Sequence, residues 1–373
     1  MSARRGELPW WADMILVPAL NLAAALLVSG LVLLALGESP LECVQILLAG
    51  AFGSGEGLGY TLFYTTNFIF TGLAFAVAFH AGLFNIGVEG QAYVAGLGVA
   101  IVCLGLESLP QPLIILLAVL ASALFGAAWA FIPAWLQARR GSHLVITTIM
   151  FNFIGAALMV YLLVNVLAPP GSMAPETRTF LPNARLPLFQ DIFAALGLPV
   201  AQSPLNLSFI WALVCAWLVS VLIWRTRLGY ELRTLGASPT AAVYAGIPAG
   251  RLTIIAMMVS GALGGFLALN EVMGSQNRLF LEFTAGYGFV GIAVSLMGRS
   301  RSLGIVLAAL LFGALYQGGA ELAFAKPSIT RDMVVLVQGL VIMLAGALEH
   351  MFRPSLARLL APRAGGAAGV QEA

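Results

Sequence analysis

The chain has 373 residues, of which 60% are apolar and 9% are charged, and its formal net charge is +2. A soluble domain carries roughly 25% charged residues because its surface faces water, so this composition excludes a soluble protein and requires most of the surface to face lipid. The net charge is too small to indicate nucleic-acid binding.

The N-terminal segment lacks the pattern of a cleaved signal peptide. Arg4 and Arg5 precede a long apolar run that contains no small-residue A-x-A cleavage site. We therefore expect residues 1–13 to lie in the cytoplasm and the first apolar run to be kept as a membrane span.

Ten apolar segments follow one another along the chain. A transmembrane helix needs about 20 predominantly apolar residues. The segments that we predict as spans are 14–36, 60–80, 86–106, 112–136, 144–167, 207–224, 252–271, 283–298, 303–320 and 332–349. The second and third run together through 80–91, so a single re-entrant unit, with eight spans in all, is the alternative. The predicted fold class is an all-α polytopic membrane protein with one transmembrane domain over 14–350.

The basic residues predict the orientation of these spans, because cytoplasmic loops are enriched in Lys and Arg. With the N-terminus inside and strict alternation, the cytoplasmic residues are Arg4, Arg5, Arg139, Arg140, Arg225, Arg227, Arg233, Arg251, Arg299, Arg301, Arg353, Arg358 and Arg363. The remaining basic residues, Arg178, Arg185, Arg278, Lys326 and Arg331, lie outside. Both termini are therefore expected in the cytoplasm, and the Gly/Ala-rich tail 351–373 is expected to be disordered.

The stretch 80–96, HAGLFNIGVEGQAYVAG, places polar residues among glycines in apolar surroundings. An ionised carboxylate such as Glu89 costs about 2.5–3.5 kcal/mol at the bilayer centre on insertion scales. Glycines weaken a continuous helix, and a broken helix at membrane depth is tolerated only where it lines a cavity or is buried in protein. We therefore predict an unwound segment at a substrate pathway, near Asn85, Glu89 and Gln91. The alternative is a cytoplasmic turn in which Glu89 is solvated.

Other polar residues interrupt later spans. Taken singly, each is also consistent with an interhelical hydrogen bond, worth about 0.6 kcal/mol. With the residues of the preceding stretch, the candidate substrate-pathway residues are Phe84, Asn85, Glu89, Gln91, Asn152, Asn270, Glu271 and Tyr287.

Two loops are long enough to carry a function of their own. The loop 168–208 is rich in proline and of mixed polarity, and we expect a docking surface on the outer side. The loop 225–251 reads as two short helical pieces, broken at Ser238-Pro239 and at Gly246–Gly250. Ser238 is placed to cap the helix that begins at Pro239.

No enzymatic or metal-binding motif is found in the sequence. The three histidines are scattered, and the three cysteines lie far apart in apolar stretches, which fits buried apolar residues rather than a metal or disulfide framework. No phosphate-binding G-x-x-x-x-G-K-[ST] motif is present. The predictions are no catalytic residue, no metal site and no bound cofactor, so that ATP hydrolysis would require a partner.

Three blocks of this chain resemble the permease subunits of the branched-chain amino acid, ribose and nucleoside ABC importers. They are GLFNIGVEGQ (82–91), LRTLGASPTAAVYAGIPAGRL (232–252) with SGALGGFLA (260–268), and YGFVGIAVSLMGRSRSLGIVLAALLFGAL (287–315). Within this superfamily, F-N-I-G-x-E-G-Q most resembles the purine-nucleoside permeases, which are often described as simple sugar permeases.

The resemblance implies the ten-helix fold of the larger ABC importers in the bacterial inner membrane. It also implies partners: a second permease that is a related but different chain, two ATPase subunits that bind ATP-Mg, and a periplasmic or lipid-anchored binding protein of the basic membrane protein type. The loop 225–251 would contact the ATPase. Its candidate coupling residues are Arg233, Leu235, Gly236, Ala237, Ala241, Tyr244, Ala245 and Gly246.

Several alternatives stay open from sequence. The blocks 82–100 and 285–305 are offset by five spans and would cross the membrane in opposite senses, as in an inverted repeat. The substrate is expected to be a purine nucleoside, with a simple sugar such as ribose as the second choice. An ion-coupled secondary transporter that uses Glu89 and Glu271 is the main rival; an integral-membrane enzyme and a channel are weaker ones.

Overall fold

The computed structural model describes residues 16–340 except for 36, 199, 327–328, 331–332 and 337. Its secondary structure is helical, with two isolated β-bridges and no strand among the described residues. The helices are α1 (Val17–Ala35), α2 (Pro40–Phe52), α3 (Gly55–His80), α4 (Val88–Gly105), α5 (Gln111–Arg140), α6 (Leu144–Asn165), α7 (Phe189–Ala195), α8 (Ser208–Arg225), α9 (Arg227–Ala237), α10 (Pro239–Tyr244), α11 (Ala249–Gly265), α12 (Tyr287–Met297) and α13 (Ser302–Ala325). A π-helix (Leu269–Ser275) follows α11, and a 3₁₀ turn spans Pro182–Ala184.

The chain divides into two compact units. The larger unit spans Cys43–Arg331 and contains every candidate site residue. The smaller unit combines residues up to Glu42 with those from Asp332 onward, and α1 is its main described helix.

Seven described helices are long and apolar enough to cross a membrane, with α11 and the π-helix counted as one, or eight if α1 and α2 form one broken span. This confirms a polytopic helical membrane protein. Seven of the ten predicted spans correspond to these helices. Of the other three, 14–36 overlaps α1, which counts as a span only together with α2, and 283–298 forms only the 11-residue α12. The span 332–349 lies mostly outside the described residues and remains a prediction. The predicted termini, 1–13 and 351–373, also lie outside them.

The centre of the larger unit is α3. Its most apolar window is 83% buried, compared with 28% for α6, so α3 is enclosed by protein whereas one face of α6 is left for lipid or a partner. It packs against α8, α11, α12 and α13, and α4 packs against α5, α6 and α11. At the contact of α5 with α11, a Cβ on Gly126 would overlap the carbonyl oxygen of Gly261, so glycine permits the close helix approach.

Candidate functional site

Between α3 and α4 the chain leaves the helical conformation over residues 81–87. α3 ends in a Schellman motif, in which the N–H of Gly82 donates to Phe79 O (2.9 Å) and the N–H of Leu83 donates to Ala78 O (3.0 Å). The motif needs a residue in the left-handed region, and Gly82 adopts φ +73° without a Cβ clash. An unwound segment is therefore present within the stretch that the sequence singled out.

Four polar side chains surround this segment, and we call Asn85, Gln91, Asn152 and Ser260 the amide cluster. The amides of Asn85 and Gln91 pair with each other, Asn85 Nδ2 donating to Gln91 Oε1 (3.1 Å) and Gln91 Nε2 donating to Asn85 Oδ1 (3.2 Å). Asn85 Nδ2 also donates to Ser260 Oγ of α11 (2.9 Å), which donates in turn to the carbonyl of Ala74 in α3 (2.5 Å). These bonds tie the unwound segment to α3 and α11.

On the opposite side of the unwound segment, the side chain of Asn152 on α6 binds backbone groups. Its Nδ2 donates to Ile86 O (2.9 Å), and its Oδ1 accepts from the N–H of Gly90 (2.9 Å). A Cβ on Gly90 would come within 2.9 Å of Asn152, so α4 and α6 can approach this closely only with glycine there. Because lipid cannot satisfy the backbone groups that a helix break exposes, these bonds make the break tolerable at membrane depth.

Glu89 joins the N-termini of two helices. It lies in the first turn of α4, and its carboxylate accepts hydrogen bonds from the N–H groups of Gly286 (2.9 Å) and Gly288 (2.8 Å) at the start of α12. The carboxylate therefore connects the first turn of α4 to the start of α12, where N–H groups without a partner inside the helix favour an acceptor. Glu89 is 8% exposed, which favours the unwound segment over the alternative of a solvated turn.

The start of α12 lies inside the depth of the helical bundle. Its 11 residues rise roughly 16 Å at 1.5 Å each, about half of a hydrocarbon core of about 30 Å. Its C-terminal end reaches the end of α3, where His80 Nε2 lies 2.9 Å from Ser300 O. Since the end of a spanning helix such as α3 marks a membrane face, Glu89 and the N-terminus of α12 lie about half-way across.

Three tyrosine rings lie together beside this carboxylate, and we call Tyr64, Tyr287 and Tyr316 the tyrosine cluster. Their ring centroids are 5.8 to 6.3 Å apart. Tyr287 stands between the two glycines whose N–H groups bind Glu89, so the cluster adjoins that site. Tyr64 and Tyr316 are half-buried, and a partly exposed aromatic face can stack on a planar ligand.

A second group of buried polar side chains follows the π-helix, and we call Asn67, Asn206, Ser208, Asn270 and Glu271 the asparagine chain. Asn67 Nδ2 donates to Glu271 Oε1 (2.6 Å), and Asn270 Nδ2 donates to Asn67 Oδ1 (2.8 Å). Asn270 Oδ1 accepts from Asn206 Nδ2 (2.9 Å) and Ser208 Oγ (2.8 Å). The asparagine chain links α3, the π-helix and the start of α8. π-helices are frequent at functional sites.

The predicted pathway residues thus fall into separate groups. Asn85, Gln91 and Asn152 belong to the amide cluster, and Glu89 and Tyr287 meet at α12. Asn270 and Glu271 belong to the asparagine chain, and all seven residues are buried.

Phe84 lies apart from these groups. It is 38% exposed, and its ring packs edge-on against Phe75 at a centroid distance of 4.9 Å. A pathway role for the eight predicted residues remains a prediction.

Tyr64, Asn67, Asn206, Ser208 and Ser260 are not among the residues predicted from the sequence. Tyr64 and Phe68 lie one turn apart on the most enclosed helix. Aromatic residues four apart share a helix face, so their spacing was the available signal.

The segment 225–251 folds as the two short helices that the sequence predicts. Thr226 caps α9 by accepting from the N–H of Gly229 (3.0 Å). Ser238 caps α10 by accepting from the N–H of Ala241 (3.2 Å), which confirms its predicted role.

The candidate coupling residues divide between the bundle and the exposed surface. Leu235 is buried. A Cβ on Gly236 would overlap the carbonyl oxygen of His80 and come within 2.8 Å of Gly82 N, so α9 rests directly on the backbone at the end of α3. The guanidinium of Arg233 lies 4.7 Å from the ring centroid of Trp224. Gly236 is itself exposed on its outer side, and the other exposed members are Ala237, Ala241, Tyr244, Ala245 and Gly246.

Within the described ranges, no three His, Cys, Asp or Glu side chains are placed to hold a metal ion. All three cysteines are buried free thiols, as expected from their apolar surroundings.

Comparison with known proteins identifies relatives along most of the chain. Residues 57–346 match the family model described as branched-chain amino acid transport system / permease component. The chain is 33% identical to the glucose ABC transporter permease protein of Haloferax volcanii, covering 87% of this chain and 85% of the relative. It is also 33% identical to the nucleoside ABC transporter permease protein of Lactococcus lactis, with 85% of each chain covered.

The guanosine ABC transporter permease protein of Bacillus subtilis is 33% identical as well, over 87% of this chain and 91% of the relative. A second nucleoside permease of Lactococcus lactis and a second guanosine permease of Bacillus subtilis are similar at lower identity, 27% and 26%.

Proposed function

Since this chain belongs to the family of branched-chain amino acid transport permease components, as an ABC transporter permease of the nucleoside and sugar type, we propose that it forms half of the pathway of an ATP-driven importer of purine nucleosides. One observation carries the proposal: the N-termini of α4 and α12 meet at Glu89 about half-way across the bundle, beside the tyrosine cluster. Interrupted helices that meet near the midplane are where transporters place their substrate sites.

A nucleoside suits the chemistry of this region. Base stacking on an aromatic ring is worth about 1–3 kcal/mol, and the half-buried rings of Tyr64 and Tyr316 offer such faces. The two relatives named for nucleoside and guanosine transport support the same choice. A simple sugar is the second candidate, because the glucose permease of Haloferax volcanii is equally similar in identity.

A second, different permease chain completes the pathway in this proposal. In Lactococcus lactis and in Bacillus subtilis, one permease is 33% identical to this chain and another only 26–27%. Two permeases that diverged within one organism are expected if the subunits are not interchangeable. This chain then takes the place of the more similar one.

Two ATPase subunits, which would bind ATP-Mg, dock against α10 in this proposal. Tyr244 at its end is 88% exposed, and such an exposed aromatic residue is a suitable contact for a partner. α9 rests on the end of α3 through Gly236, so movement of α9 would shift the unwound segment and with it Glu89. If the contact between α9 and the end of α3 has two positions, the pathway would open alternately to the two sides of the membrane.

The remaining features of the assembly are also proposals. The bundle has ten spans with both termini in the cytoplasm of a bacterial cell, arranged as inverted halves in the inner membrane. A solute-binding protein of the basic membrane protein type docks on the outer loop 168–208. Tight binding is left to that protein, so the pathway itself binds weakly and releases readily, and this chain needs no cofactor.

The test is uptake by the reconstituted complex. The chain is co-expressed with neighbouring genes for an ATPase, a second permease and a binding protein, and uptake of labelled guanosine, adenosine and ribose into proteoliposomes is measured. We expect guanosine and adenosine uptake that requires both ATP and the binding protein. Uptake of ribose without uptake of either nucleoside would identify a sugar as the substrate and would still support the importer mechanism. Uptake driven by an ion gradient without ATP would refute the proposal and favour ion coupling through Glu89 and Glu271.

A further inference from the structure

A cavity of about 470 Å³ opens between the end of α5 and the start of α11, at the end of the segment 225–251 and away from the amide cluster, the tyrosine cluster and the asparagine chain. Its charged lining residues are Arg139 and Arg251, and its apolar wall includes Ile254 and Ile255. A volume of this order matches that of small-molecule sites, which are about 300–1,000 Å³.

The two arginines of this cavity lack an anionic partner. In the part of the chain that the structure describes, neither Arg139 nor Arg251 forms an ion pair or a hydrogen bond through its side chain. Among the described residues that connect the helices at this end of the bundle, the one carboxylate is Glu231 on α9, and it is bound by Arg227 at 2.9 Å. Because a guanidinium carries a permanent charge and a planar fork of donors, two such groups at one cavity favour an oxyanion.

The backbone adds donors on the same wall. Pro248, Ala249 and Gly250 line the cavity, and no described side chain caps the start of α11. The first N–H groups of a helix have no partner within it and point away from its start, so an anion in the cavity would accept from them.

The position of the cavity in the membrane indicates an amphipathic ligand. Trp135, one turn before Arg139 on α5, is 38% exposed, and the guanidinium of Arg140 lies 5.9 Å from its ring centroid. Exposed tryptophans of membrane proteins concentrate at the level of the lipid headgroups. Ile254 and Ile255 are half-buried below the arginines, so an anion held here has an apolar surface beside it.

We propose that this cavity binds the phosphate of an anionic phospholipid, with Arg139, Arg251 and the first turn of α11 contacting the phosphate and the two isoleucines contacting an acyl chain. Basic pockets between transmembrane helices bind such headgroups on the side where anionic lipids concentrate. The proposal does not depend on the identity of the transported substrate.

The experiment measures lipid binding to the intact complex after delipidation in detergent. Dioctanoyl phosphatidylglycerol is titrated by native mass spectrometry, with dioctanoyl phosphatidylcholine and inorganic phosphate as comparison ligands. Each arginine near a membrane surface contributes roughly fivefold to the affinity for an anionic lipid. R139Q/R251Q should therefore bind phosphatidylglycerol about 30-fold more weakly than the wild type. The single variants R139Q and R251Q should each bind phosphatidylglycerol about fivefold more weakly than the wild type. They provide the test if the double variant does not fold.

The matched control is R140Q/R301Q, which removes the same charge from exposed arginines outside the cavity. Its binding should stay within about threefold of the wild type, since only diffuse attraction is lost. Equal losses in the two double variants would overturn the proposal, because charge alone would then explain the binding. So would equal affinity for phosphatidylcholine, or displacement of the lipid by inorganic phosphate at the same concentration, which would make this a site for free phosphate.

Discussion

At the scale of single residues, the buried polar groups are joined to one another rather than left facing lipid. Asn85, Gln91 and Asn152 bond to each other or to the unwound backbone, and Glu89 bonds to two N–H groups of α12. An unpaired polar group in an apolar environment costs about 1–3 kcal/mol, so each bond is needed for stability as well as for any role in transport. A substitution must therefore be judged by two measurements, transport and unfolding.

Glu89→Gln tests the connection between the two helix N-termini. The amide keeps the shape but can accept through one oxygen only, while its NH₂ group faces an N–H donor. Losing a charge-assisted bond of about 1.5–3 kcal/mol should reduce the initial rate of guanosine uptake by roughly tenfold or more, and Glu89→Ala by at least as much. The rate is measured in proteoliposomes of equal protein content, alongside the unfolding temperature of the purified complex.

The control is Glu56→Gln, which changes an exposed carboxylate at the start of α3 and should leave uptake unchanged. Wild-type uptake in both Glu89 variants would show that the carboxylate has no part in the pathway.

Replacements in the tyrosine cluster test whether substrate stacks on its rings. Tyr316→Phe keeps the aromatic face and should leave the initial rate of guanosine uptake within about threefold, whereas Tyr316→Leu removes about 1–3 kcal/mol of stacking and should lower that rate about tenfold. Tyr161→Leu, at a residue 60% exposed on α6, is the control. If the phenylalanine and leucine variants lower the uptake rate equally, the hydroxyl group rather than the ring is the important feature.

At the scale of elements, short and interrupted helices distinguish this bundle from a set of simple spans. α4 and α12 both begin inside it, and the π-helix replaces regular winding just after α11. The outer-facing helices α5, α6 and α8 are continuous and less enclosed. The irregular backbone lies where side chains of neighbouring helices satisfy it, as a membrane requires.

Gly236→Ala tests whether α9 acts on the unwound segment. The new Cβ would collide with backbone of His80 and Gly82, which cannot move aside as a flexible side chain can. We expect the complex to assemble and hydrolyse ATP while uptake per ATP falls by roughly tenfold. The reason is that a misplacement of about 1 Å can lower the rate of a positioned step by about a hundredfold. Both rates are measured on the same proteoliposomes.

Gly105→Ala is the matched control, because nothing lies within 4 Å of the added Cβ. Uptake and hydrolysis that fall together in Gly236→Ala would point to lost assembly instead of lost coupling.

At the scale of the whole molecule, the charged residues differ between the two ends of the bundle. The end that carries α9 and α10 also carries most of the described arginines, whereas the ion pairs Arg178–Glu107 and Arg278–Glu176 lie at the opposite end. Loops rich in Arg remain in the cytoplasm during insertion, so the asymmetry predicts which end faces inward.

Single-cysteine labelling tests this orientation. The native cysteines are at most 2% exposed and should not react with a membrane-impermeant maleimide. Thr240→Cys on α10 should be labelled only after the cells are permeabilised, and Ser172→Cys in the outer loop should be labelled in intact spheroplasts; both positions are exposed. Labelling of the Thr240 variant in intact spheroplasts would reverse the orientation.

The sequence by itself determined the membrane class, most helix positions, the break near residue 82 and the two short helices with their Ser238 cap. Each depends on local composition or on neighbouring residues: apolar length decides insertion, and glycine, proline and capping side chains act within one turn. The family resemblance added the class of ABC transporter permeases, which the match over residues 57–346 and the similar permeases confirmed.

Only the tertiary structure decided which polar residues meet. Glu89 finds its donors 197 and 199 residues away, and Asn67 meets Glu271 across 204 residues. The short length of α12 could not be predicted from the sequence either. Hydropathy detects the apolar side chains over 283–298, but it does not detect the left-handed backbone at Ala285 and Gly286, after which the helix begins. Partners so distant in the chain are set by helix packing, which no local pattern encodes.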